Sequence, residues 1–532
     1  MKMWVAGASA LLLISACSAS KEANAALDGM GLSTGTSSEL LKYEGKSGSG
    51  DKITLKNVTL GPATDGDQLK AATLTFGGLD MEGDKPVVTS IELSDITMAK
   101  PIPGAKFLLK TVKVEGLNPV TGQFVAASFK GGNAAAEPPP FEQLGFTKIS
   151  VNGLTFNADG MGGAPGKYNV ALGEFSISDL KNKIFGGVHV SGFKGDFDVP
   201  PEEAMQSPQI KGTFDFGTTD IKNIRGDVYE ALIGAGMASA MGGPAGNPMS
   251  GLTSPLEAGY DELTWSGMNI DASGAKLLVS KVEQKMTRNA QGVVTKVTMP
   301  KATISVTGDS AGGTLGAAMI TSLSAVGYPN KSIELYGGGD ATYDPATDTT
   351  RYEGYNFGVT DGLDVKLTGG FIGLTQALNA LFAASAVVPD VDASGNPTAP
   401  ATPPGGDFSA LKLVDLDLTL TDKSLVNFLL GLGPMLGMGT DKEALRADVV
   451  NQITAMAAGD LPGVDKSVAS EFSNAVAAFV KQPGTLNIKL KPATPLALAD
   501  EKAGPATKTS LGFSATFTPG PAAAPAAPAK PN

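Results

Sequence analysis

An α+β chain dominated by antiparallel strands is the fold class this sequence predicts. Three observations carry it. The chain holds 68 Gly and 34 Pro, while aromatics make up only 6% of it, a turn-rich composition. One eight-residue apolar phrase recurs through the N-terminal half. Helical spacing becomes prominent only after about residue 226.

The first sixteen residues, "MKMWVAGASALLLISA", read as a signal peptide. Lys2 supplies the positive end, and Val5 to Ile14 form an apolar run too short to cross a bilayer, which takes about 20 residues. "ISAC" (14–17) follows and resembles the bacterial lipobox, in which the chain is cut before Cys17 and that cysteine is acylated. Ser18, in place of Asp, implies sorting to the outer membrane. Cys17 is the only cysteine, so no internal disulfide forms. Residues 17–50 are expected as a lipidated, flexible tether.

Residues 51–225 predict a repetitive antiparallel β domain. "ITLKNVTL" (53–60), "LTFGGLDM" (74–81), "IELSDITM" (91–98), "ISVNGLTF" (149–156) and, beyond the domain, "LTWSGMNI" (263–270) are apolar at positions 1, 3, 6 and 8. "VKVEGL" (112–117), "FSISDL" (175–180) and "VHVSGF" (188–193) carry the first six positions. Position 5 is Asn57, Gly78, Asp95, Gly116, Gly153, Asp179, Gly192 and Gly267, residue types that tolerate positive φ. Strand alternation alone would send the two apolar pairs to opposite faces. A left-handed residue at position 5 returns them to one face as a bulge; a tight hairpin there is the alternative. The bulge gives an extended, twisted sheet of bulged strands. These phrases, "VEGLNPVTGQF" (114–124) above all, resemble AsmA-type envelope proteins with repeating β-grooves. That likeness implies a link to lipid movement, and Ser18 departs from those families' inner-membrane anchoring.

Residues 226–387 predict a helix–strand domain. Helices are expected at 229–243, 314–327 and 371–385, and a hairpin over 341–354 turns on Asp344 and Pro345. Residues 388–407, with five Pro, read as a linker or loop. Residues 408–517 read as an α+β region: strand 411–420, helices from about Lys423, Thr440 and Val468, then strands 485–492 and 510–517. This arrangement resembles uncharacterised proteins of proteobacterial envelopes, a likeness that brings no activity. Residues 518–532 form a Pro/Ala tail.

"GDSAGG" (308–313) resembles the nucleophile elbow of hormone-sensitive-lipase-like esterases, which implies Ser310 as nucleophile. The general base that a hydroxyl needs is missing from its place in that chain order, because the single His, His189, lies upstream. An ordinary strand-to-helix turn capped by Asp309 or Ser310 is the simpler reading. "GLSTG" (31–35) lies in the expected tether. "GKS" (45–47) has Leu40 where a phosphate loop needs Gly, and "DVDASG" (390–395) would end on Ala401 where a calcium loop needs Glu. His189 reads as an exposed or hydrogen-bonded strand residue, and Glu202 and Glu203 as a solvated turn.

The formal charge is −12, or −12 − 1 = −13 once Lys2 is removed. That balance does not suit nucleic acid. The reading is a non-catalytic, lipid-anchored outer-membrane protein facing the periplasm, without cofactor or metal. It binds or scaffolds envelope components: a hydrophobic ligand such as a lipid, or an envelope protein. A purely structural role and an esterase on Ser310 are the alternatives.

Overall fold

The computed structural model describes residues 18–32, 41–61, 68–130, 138–160, 166–201, 208–226, 253–309, 311–325, 331–385, 410–433, 441–458, 465–498 and 506–520. Strands dominate, their ladders are antiparallel, and most helices lie in the C-terminal half. The chain divides into two units: residues 1–227 with 259–273, and residues 228–258 with 274–532.

The first unit contains β1 (Leu41–Lys42), β2 (Gly45–Ser49), β3 (Lys52–Leu60), β4 (Leu69–Gly77), β5 (Asp80–Glu82), β6 (Lys85–Val87), β7 (Ser90–Met98), β8 (Ala105–Glu115), β9 (Phe146–Asp159), β10 (Lys167–Leu180), β11 (Ile184–Ser191), β12 (Lys194–Val199), β13 (Ile210–Asp215), β14 (Thr219–Arg225), β15 (Glu262–Trp265) and β16 (Met268–Ala272). From β3 to β10 it is a meander, with β5 and β6 set aside as a hairpin of their own. β11 and β12 pair side by side along β10, on either side of Gly192. β13 and β14 flank Gly217 in the same way, and β15 and β16 flank Gly267.

Every position 5 of the repeated phrase has positive φ, from 50° at Asp95 to 113° at Gly267. The register aligns these residues. Pairs Lys56↔Thr73 and Val58↔Ala71 put Asn57 opposite Ala72. Continued across the ladders, one row runs Asn57, Ala72, Asp95, Lys110, Gly153, Gly173, Gly192, Gly217, Gly267. A second row contains Gly78, Thr89, Gly116, Thr147, Asp179, Gly186 and Asn223. Each row is a transverse crease at which the ladder pairing is interrupted. Gly116 shows why glycine recurs there: a Cβ on it would stand 1.9 Å from Thr147 Oγ1.

The crease resets side-chain alternation as expected. Ile53, Leu55 and Val58 are all buried in one core, although strict alternation would turn Val58 outward. The mechanism differs from a one-strand insertion. Register is unchanged across Asn57 because the partner strand crosses the row at the same level. Strand β9 runs through Gly153 without a turn, which excludes the hairpin there.

Two helices cover one end of the apolar face: α1 (Lys21–Gly29) and α2 (Pro119–Ser128). Ala23, Ala26, Leu27 and Met30 pack with Ile53, Leu74 and Phe76, and Val125 and Phe129 join them. This corrects the expected tether over 17–50. Residues 21–29 form a helix capped by Ser20 (Ala23 N to Oγ, 2.9 Å), because apolar residues at i, i+3, i+4 and i+7 meet an apolar sheet face.

The second unit contains β17 (Ala275–Val279), β18 (Val282–Arg288), β19 (Val294–Gly308), α3 (Thr314–Ala325), β20 (Ser332–Asp344), β21 (Thr349–Val359), β22 (Leu363–Ile372), α4 (Leu374–Ser385), β23 (Lys412–Asp422), α5 (Leu425–Leu432), α6 (Lys442–Ala458), α7 (Lys466–Lys481), β24 (Gly484–Leu490), β25 (Leu496–Ala497), α8 (Lys508–Leu511) and β26 (Ser514–Pro519). Here true bulges shift the register, between Met299 and Ala302, Gly338 and Asp340, and Tyr352 and Tyr355. α7 lays Val468, Ala475 and Phe479 on Leu486, Phe513 and Ala515. The expected strand 510–517 begins later, because α8 and left-handed Gly512 precede β26. Asp441 Oδ1 accepts from the Glu443 N–H at the start of α6 (3.0 Å), and the expected cap Thr440 lies outside the described residues. The helix expected at 229–243 and the linker at 388–407 lie outside the described residues.

Candidate functional site

Among the described residues, the core over β3–β8 reaches Phe146 on β9. The apolar rows do continue. Ile149, Ile177, Val188, Ile221 and Leu263 are paired in sequence across the sheet. Val151 pairs with Phe175, which pairs with Val190, and Trp265 follows in line through Thr219. On the other side of the crease Leu154 pairs with Leu172, and Phe214 with Ile270. All of these side chains are only half-buried, and among the described residues no helix lies over them. A contiguous, half-buried apolar face of this kind is the candidate interaction surface of the first unit.

Aromatic side chains gather at its far end. Phe193, Phe214 and Phe216 have ring centroids 5.1–5.7 Å apart. Trp265 Nε1 donates to the Phe216 carbonyl (2.6 Å), which leaves the indole body for apolar contact. Phe214 lies against Gly195, where a Cβ would come within 2.7 Å of its Cζ, and Phe197 against Gly212. The phrase places Phe193 and Trp265 on the face; the bare glycines let the rings of Phe214 and Phe197 lie down on it.

The opposite face of the same strands is polar. An open depression of about 550 Å³ is lined there by Asn157, Asn169, Lys194, Asp196, Thr213 and Asp215, among others. Asn157 donates to Asn169 (2.6 Å), and Asn169 to Asp196 (2.8 Å). His189 stands on this face, with Nδ1 2.7 Å from Asp220 Oδ1 and Nε2 3.1 Å from Ser191 Oγ. The hydrogen bond from Lys148 beside it holds the Glu174 carboxyl below the usual carboxylate range. Sequence reasoning placed His189 in a strand and missed its partners. Ser191, two residues on, was open to strand alternation; Asp220 was not, because only pairing brings it alongside.

Cys17 and Ser310 lie outside the described residues, as do Glu202, Glu203 and 390–395; of 31–35 only Gly31 and Leu32 are described. Residues 45–47 sit in β2, not in a loop. Around position 310 the order is strand, turn, helix: Gly308 ends β19, Asp309 Oδ1 accepts from Ala311 N (2.9 Å), and α3 follows. That strand pairs antiparallel with β17 and β20, unlike the parallel sheet an esterase elbow crowns. Among the described residues no group of three or more His, Cys, Asp or Glu could hold a metal. No described helix is long and apolar enough to cross a membrane.

Burial, then the hydrogen bond to Asp364, pushes the Tyr336 phenol up. Burial likewise raises the Asp422 carboxyl, although Val426 N donates to it at the start of α5 (3.1 Å).

A family model described as "Uncharacterized protein" matches residues 356–516, from within β21 to within β26, and so covers no residue of the first unit. No curated protein and no solved structure matches the chain.

Proposed function

We propose that this chain is an outer-membrane lipoprotein, anchored through acylated Cys17 and facing the periplasm, whose first unit takes a lipid acyl chain on its open apolar face. The half-buried apolar rows over β9–β16, with no described helix lying over them, carry the reading. β9, β10 and the three two-part strands beyond them are separated by inter-strand steps of about 4.8 Å, so the face spans roughly 19 Å. One leaflet of a bilayer's hydrocarbon core is ~15 Å deep, so a single acyl chain fits along the rows. The crease favours this occupant: it brings the apolar pairs from both sides of the bend onto one surface. The net charge of −12 gives an anionic bilayer little to attract. Tethering therefore rests on lipid at Cys17.

Native mass spectrometry of residues 18–532, produced without the anchor, tests the binding. Co-purified lipid that leaves on organic extraction is the expected result. A chain bare of lipid, and still bare after incubation with phospholipid micelles, would turn the reading to a scaffold that meets a protein on this face.

A further inference from the structure

The polar face carries a constellation that acyl-chain binding does not use. Val188 and Val190 point to the apolar side of β11, so His189 and Ser191 stand together on the other. Antiparallel pairing with β14 brings Asp220 directly opposite His189. Asp220 as a carboxylate only accepts hydrogen bonds, so His189 Nδ1 must carry the proton between them (2.7 Å). In the neutral ring Nε2 is then an acceptor, and the Ser191 hydroxyl, 3.1 Å away, is its donor. Polarity and spacing are those of a nucleophile, a base and an orienting carboxylate. The group is reachable from solvent: the side chains of His189 and Asp220 are 35% and 45% exposed. Gly192, directly after Ser191, has φ 66° and lies on the crease, where the ladder with β10 skips from Ser191 to Lys194.

We propose that Ser191, His189 and Asp220 form an acyl-transfer relay acting on small soluble esters, independently of what the apolar face binds. Ser191 Oγ attacks the ester carbonyl carbon while its proton passes to His189 Nε2. The carbonyl oxygen takes up the negative charge of the tetrahedral species. The tetrahedral species collapses with cleavage of the bond to the alcohol oxygen, which leaves with the proton from Nε2. Water then attacks acyl-Ser191, giving one proton to Nε2. Cleavage of the Oγ–acyl bond releases the carboxylic acid, and that proton returns to Oγ. Asp220 holds the ring in the required tautomer and offsets the charge of the imidazolium. The site stands on a solvent-reachable sheet face, so turnover is slow and indifferent to acyl length.

The test uses the full chain with a fluorophosphonate probe and p-nitrophenyl acetate. The expected adduct maps to Ser191 by peptide mass spectrometry. Both labelling and hydrolysis fall ~10-fold or more in Ser191→Ala and His189→Gln, with melting temperatures unchanged, and stay at the wild-type level in Ser310→Ala. An adduct elsewhere, no adduct, or Ser191→Ala hydrolysing at the wild-type rate would each overturn the relay.

Discussion

Arg288→Met is expected to destabilise the second unit by about 3–5 kcal/mol. Arg288 closes a two-pronged bond on Glu257, Nη1 to Oε2 at 2.6 Å and Nη2 to Oε1 at 2.8 Å. The Glu257 side chain is only 1% exposed, and that of Arg288 16%. Methionine replaces the packing of the arginine stem but leaves the carboxylate buried without its guanidinium. The desolvation of Glu257 then loses the compensation that the guanidinium supplied. A second change, Glu257→Leu in the Arg288→Met chain, should restore much of the loss, because an apolar pair incurs no such penalty. Urea denaturation of the three chains measures both effects. A loss below about 1 kcal/mol in the single variant would show that water reaches the pair.

Phe76→Ala is expected to cost the first unit about 3–5 kcal/mol. Phe76 is fully buried, and its ring meets Phe129 edge to face, with centroids 5.2 Å apart and planes at 88°. It joins β4 to the end of α2 in the core that α1 also covers. Truncation removes the ring and leaves a cavity that the fixed strands cannot close. Hydrogen exchange should report the loss first in α1 and α2, whose packing rests on that face. Unchanged protection in both helices would mean that they dock by other contacts.

Much of this fold was legible because its key property is local. A residue's tolerance of the left-handed region depends on its own side chain, so Asn57, Asp95 and Asp179 could be marked before any strand was paired. Their alignment into two creases could not be, since it depends on register across the sheet. α1 was missed although its Lys, Glu, Ala and Leu are good helix formers behind a Ser20 cap, because a nine-residue helix is marginal alone and tertiary burial makes it. The pairs Glu257–Arg288 and His189–Asp220 join residues 31 apart in sequence, where no motif spacing applies. The apolar face could be foreseen as a pattern. That α1 and α2 would cover the core over β3–β8 could not, because coverage is a property of the assembled unit.

Trp265 allows the most direct test. It stands on the open apolar face, and the chain's other tryptophan, Trp4, lies in the predicted signal peptide. A single-chain phospholipid brominated along its acyl chain should quench the fluorescence of residues 18–532 saturably, while the unbrominated lipid leaves it bright. Full intensity at concentrations where that lipid is shown to be bound would place the acyl chain elsewhere and contradict the account.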